Sequence, residues 1–133
     1  MNFTTIFIIG FSVFAIAALI YIQKTKLTDT SWKQIVRSKI SGLDNSSIGL
    51  ESKIIQADKL LEFTLKKHFN NDQNLGVLLK KYPNAFEKHE LNDIWQAHKL
   101  RNGLAHDIHF AASNQDKQTA ANTLIRFCKK FSR

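Results

Sequence analysis

Twenty consecutive residues without a charge, Phe3 to Ile22 (FTTIFIIGFSVFAIAALIYI), set the first limit on this chain. As a helix rising about 1.5 Å per residue, such a run spans roughly 30 Å, the hydrocarbon thickness of a bilayer. Thr4, Thr5 and Ser12 can return their hydroxyls to the helix backbone, and Tyr21 stands where an aromatic belt would lie. A cleaved signal peptide is the competing reading, with Ala15-Ile16-Ala17 as a small-x-small site. No Lys or Arg precedes the run, however, and it continues through Leu19, Ile20 and Ile22, so 1–22 is expected to be an anchor. Lys24, Lys26, Lys33, Arg37 and Lys39 all follow it. The positive-inside rule then places the N-terminus outside the cell membrane and the rest in the cytoplasm, as a single-pass protein.

The remainder is one small domain. The chain has 133 residues, 19 Lys and Arg against 11 Asp and Glu, and a single cysteine, Cys128. No intramolecular disulfide or multi-cysteine zinc site can form, which suits a cytoplasmic domain. Three valines against 14 leucines and 11 alanines lean towards helix. After a short basic linker at 23–28, a helical domain is expected over 29–133.

Helical spacing recurs along that domain. Asp29 or Thr30 can cap a helix carrying Trp32, Ile35, Val36 and Ile40. Gly42 to Ser47 reads as a turn. A long helix from about Ser47 to Phe69 puts Ile54, Ala57, Leu61 and Leu65 on one stripe. Leu75 to Tyr82 gives a short helix stopped by Pro83. A further long helix, His89 to Ala105, turns Leu91, Ile94, Trp95 and His98 inward. After a loop at 107–113, Asn114 caps a last helix carrying Ala121, Leu124, Ile125, Cys128 and Phe131. Trp32 and Trp95 are expected as core anchors. The fold class is all-α, a compact helical bundle.

Chemistry concentrates in Trp95 to Asp107, WQAHKLRNGLAHD. Asn102 and His106 are four apart and share a face if the helix persists, with His98 one turn earlier. A permanent cation, an amide and an imidazole thus gather at a helix C-terminus. Histidine titrates near neutrality, so His106 can act as general acid or base. The Arg101 guanidinium offers a fixed fork of donors to phosphate oxygens. Asn102 can orient the imidazole or bind a sugar. The motif itself offers a single imidazole for such proton transfers, with His98 as another candidate.

The pattern resembles the HEPN superfamily (higher eukaryotes and prokaryotes nucleotide-binding domains). Arg101-Asn102 followed by His106 looks like that superfamily's Arg-Asn-x-x-x-His signature at the end of the penultimate long helix. Upstream, Ile55-Gln56-Ala57-Asp58-Lys59-Leu60-Leu61-Glu62 is similar to the first long helix of small bacterial HEPN-like proteins. The resemblance covers about 29–131. It implies an up-down four-helix bundle, a homodimer with the motif at its interface, and metal-independent endoribonuclease activity on RNA in active members. Arg101, Asn102 and His106 map onto the catalytic motif, and Asp58, His98 and Lys99 are the flanking binding candidates. Many members are non-catalytic binding modules, so a protein-interaction or nucleotide-binding role, with an unidentified protein partner, is the alternative expectation.

Plainer readings of the same residues stand beside these. Asp107 can pair with Arg101 and neutralise it, and Asp58 can do so if the two helices pack together. His98 reads first as a packed polar residue beside Trp95. His106-Asp107-Ile108-His109 lacks the spacing of a zinc site, and no cofactor is expected. The basic residues after the apolar run follow from topology and anionic lipid, and those near the C-terminus from the helix dipole, so charge favours nucleic acid only slightly.

Overall fold

The computed structural model describes residues 2–45 and 47–133, with the side chains of 3–7 and 26–30 left out of the description. The hydroxyls of Thr4 and Thr5, the capping side chains of Asp29 and Thr30, and Ser46 in the expected turn therefore lie outside the described residues. The elements are α1 (Phe3–Asn45), α2 (Leu50–Phe69), α3 (Leu75–Lys81), a 3-10 turn (Pro83–Ala85), α4 (Lys88–His106) and α5 (Asn114–Phe131). No strand occurs among the described residues.

Two compact units divide the chain, 1–32 and 33–133. In the first, Ile8–Thr25 is long and apolar enough to cross a membrane by length and composition. Its large side chains are bare: Phe11, Phe14 and Tyr21 are all about two-thirds or more exposed, Phe14 by 73%. The Ser12 hydroxyl donates to the Ile8 carbonyl at 2.9 Å, as a polar residue in an apolar helix should. The backbone differs from expectation in one respect. α1 runs unbroken through the residues read as a linker and through the expected cap at 29–30. Neither proline nor glycine occurs between Gly10 and Gly42, so nothing in the sequence interrupts it.

The second unit is a helical bundle. Ion pairs fix how its helices run. Glu51 meets Lys117 at 2.6 Å near the starts of α2 and α5, and His68 meets Phe131 near their ends, so these two are parallel. Asp93–Arg126 at 3.3 Å and Glu90–Lys130 at 2.7 Å run α4 antiparallel to α5. Asp44–Lys129, with Arg37 donating to the Ser132 carbonyl at 3.1 Å, does the same for the end of α1.

The core follows the stripes read from sequence. Ile54, Ala57, Leu61 and Leu65 of α2 are buried, as are Ala121, Leu124, Ile125, Cys128 and Phe131 of α5 and Val36 and Ile40 of α1. Three expectations fail. Ile35 is 48% exposed. Trp95 and Leu91 are only half-buried, so α4 buries fully just Ile94 and Ala97. Phe127, the largest fully buried side chain, was not on the expected α5 face. It anchors an aromatic cluster with Phe86, whose ring lies 6.2 Å away, while Phe131 joins Phe86 to Phe69 and Phe69 stacks on Tyr82 at 4.2 Å.

Helix ends explain the shifted boundaries. α4 opens one residue early because Glu87 and Glu90 form a reciprocal capping box. α5 is capped by Ser113 rather than Asn114, its hydroxyl accepting from the Asp116 amide at 3.0 Å. α2 starts at Leu50 behind Gly49, not at Ser47, and ends on Asn70, whose φ of 48° is the left-handed turn asparagine tolerates.

Burial also silences the lone thiol. Removal from water pushes Cys128 up to about 12. The native chain should therefore resist iodoacetamide at mildly alkaline pH and be alkylated only once denatured, as read by intact mass. Rapid alkylation of the folded protein would contradict this packing.

Candidate functional site

Asp58 lies on the buried stripe of α2, 3% exposed. A carboxylate in that position must be partnered to stay ionised. α4 supplies the partners one turn apart, since His98 and Arg101 at i and i+3 share a face. His98 Nδ1 lies 2.8 Å from Asp58 Oδ1, and Arg101 Nε lies 3.4 Å from Oδ2. The second contact is an ion pair and not a hydrogen bond, because Arg101 Nε is buried and makes none. Arg101 Nη1 donates to Asn102 Oδ1 at 3.0 Å. One carboxylate thus holds both the imidazole and the guanidinium, and the guanidinium steadies the neighbouring amide.

The imidazole is oriented by the same contact. Nδ1 is turned to the carboxylate, which leaves Nε2 on the far side of the ring. Nε2 faces α3 at its one bare position: a Cβ at Gly76 would stand 3.9 Å from it and 3.6 Å from the Trp95 indole. α3 is itself pinned, by Asn74 capping the Val77 amide and by Glu62 accepting from the Leu75 amide, each at 3.0 Å. The Trp95 and His98 rings meet edge-on at 6.0 Å, as the plainer reading of His98 expected.

The structure brings together Asp58, His98, Arg101 and Asn102. It does not join His106 or Lys99 to them. His106 is the last residue of α4 and is exposed, with no partner among the described residues. Lys99 is exposed on another side of α4, where it lines a cavity of about 750 Å³ between α4 and α5 with Gln96 and Phe110. Asp107 does not pair with Arg101. Its carboxylate accepts from the His109 amide at 2.9 Å and its carbonyl from the Phe110 amide at 3.0 Å, which closes the turn after α4. The neutralising acid is Asp58. Among the described residues no three His, Cys, Asp or Glu side chains are placed to hold a metal ion.

Two residues that shape this end of α4 were missed from sequence. The Phe110 ring lies on the helix at Gly103, where a Cβ would come within 2.6 Å of ring carbons. Gly103 is thus the bare spot that lets the 107–113 loop fold back beside the motif. A glycine inside a helix costs about 1 kcal/mol against alanine, and that cost was the available signal.

Compared with known proteins, the chain matches no family model, no curated protein and no solved structure.

Removing one partner of a buried ion pair strands the other. Asp58→Ala should destabilise the domain by about 3 kcal/mol in urea titration, whereas Lys99→Ala should change stability by less than about 0.5 kcal/mol. A loss below about 1 kcal/mol for Asp58→Ala would show that the cluster does not organise the α2–α4 contact.

Proposed function

We propose that the chain is a membrane-anchored HEPN-like protein, its N-terminus outside the cell membrane, whose cytoplasmic bundle binds RNA and cleaves it as a homodimer without a metal. The observation that carries this reading is Arg101, anchored from behind by buried Asp58 and set on the same helix as the exposed, unpartnered His106. An arginine held in that way presents its remaining donors in a fixed direction, which suits the charge developing on a phosphorane. His106 is free to move a proton to or from a ribose oxygen. Asn102, already bonded to Arg101, orients the sugar or the guanidinium. The partner chain contributes the second His106 needed for the other proton transfer.

A second reading has its own observation. Asp58 already balances the charge of Arg101, and no contact joins Arg101 to His106. That arrangement suits a non-catalytic HEPN-like module that holds a protein partner or a nucleotide at the membrane.

The full chain in nanodiscs, incubated with a mixed RNA pool in EDTA, separates the two. The catalytic reading expects cleavage that falls about 100-fold or more in His106→Ala and Arg101→Lys, with helicity and melting temperature of His106→Ala unchanged. Undiminished cleavage in both variants would end the catalytic assignment. A folded, dimeric sample without cleavage would favour the interaction module.

A further inference from the structure

A groove of about 720 Å³ runs between the end of α1 and α2, within the second compact unit. Its floor is apolar. Leu43 and Leu60 form the base, Phe63 one wall, and Ile35 a rim residue left 48% exposed. An isoleucine so exposed beside an apolar floor has no reason in the monomer's own packing. The charged side chains that line it are both lysines, and the nearby carboxylates of Glu62 and Asp72 are paired with Lys66. Lys39 and Lys59 line the groove, both exposed and neither with an anionic partner among the described residues, and no acidic side chain lines it. Lys67 extends this edge, its ammonium 5.8 Å from the Phe63 ring.

We propose that this groove is a docking site for an acidic amphipathic helix of another protein. Its apolar ridge would lie on Leu43, Leu60 and Phe63, and its carboxylates would meet Lys39, Lys59 and Lys67. The stretch of α2 from Gln56 to Phe63 that walls the groove rises about 12 Å, the length of a little over two helical turns. Helix-in-groove recognition takes this form, with apolar anchors at i, i+3 or i+4, and i+7 and flanking charges that choose the partner. Charge complementarity also decides against a second copy of this chain. An isologous contact would set Lys39 and Lys59 against their own images, in a chain that already carries a formal charge of +8. The apolar floor decides against RNA, which would want stacking faces and phosphate contacts throughout. The groove shares no residue with the Asp58 cluster or with His106, so this inference stands independently of the ribonuclease reading.

The test is fluorescence anisotropy with the full chain in neutral-lipid nanodiscs. The probe is a labelled peptide of about three helical turns with Leu at the anchor spacing and Glu on both flanks. A second peptide with the same leucines and Lys in place of Glu is the charge control. The Glu peptide is expected to bind, and Ile35→Ser and Lys59→Glu are each expected to weaken it about tenfold, with Lys88→Glu without effect. Ile35 and Lys59 are exposed, so neither change endangers the fold. Equal binding of the two peptides, or binding by neither, would overturn the proposal. Concentration-dependent self-association that Ile35→Ser abolishes, without peptide binding, would assign the groove to a second copy and overturn it as well.

Discussion

The second unit is organised around one buried carboxylate. Asp58 sits in the α2 stripe that also carries Ala57 and Leu61, where an ionised side chain is tolerated only if its oxygens are occupied. His98 takes one and Arg101 the other. That requirement fixes the rotation of α4 against α2, because both partners must come from one turn of one helix. It also decides how α4 meets water. With His98 and Arg101 committed inward, Trp95 and Leu91 are left half-buried and only Ile94 and Ala97 reach the core. Polar pairing does work here that apolar packing does elsewhere in the bundle.

The same carboxylate divides Arg101, Asn102 and His106 into two sets. Arg101 and Asn102 form a supported donor array behind which Asp58 stands. His106 lies at the exposed last position of the helix, beside the turn that Asp107 closes and the Phe110 ring that Gly103 admits. A rigid cation and a free imidazole at one helix end are useful together only if a substrate or a second chain bridges them. This is why the ribonuclease reading calls for a dimer, and why an interaction module remains the natural alternative.

Much of this was legible in the sequence because helices of this kind write their burial into a single stripe. Ile54, Ala57, Leu61 and Leu65, and Leu124, Ile125, Cys128 and Phe131, are where their spacing puts them. The apolar N-terminal run has the length and composition expected of a span. What escaped was tertiary. The period of α4 suggested Trp95 as a core anchor, and the pull of Asp58 on the adjacent face overrode it. Phe127 falls between two stripe positions, and it is buried where the Phe86 ring from another segment meets it edge-on. Gly76 and Gly103 acquire their meaning only when an imidazole and a phenyl ring from elsewhere lie on them. The uninterrupted α1 shows the reverse case. A plausible cap at 29–30 counts for little when no residue between Gly10 and Gly42 disfavours helix.

A double-mutant cycle between positions 58 and 101 tests the central claim most directly, with Asp58→Asn, Arg101→Gln and the double variant unfolded in urea. If the carboxylate and guanidinium hold α2 and α4 together, the coupling energy should exceed about 1 kcal/mol. Additivity within about 0.3 kcal/mol would mean that the two side chains are neighbours without consequence, and the account of the bundle built on Asp58 would fall.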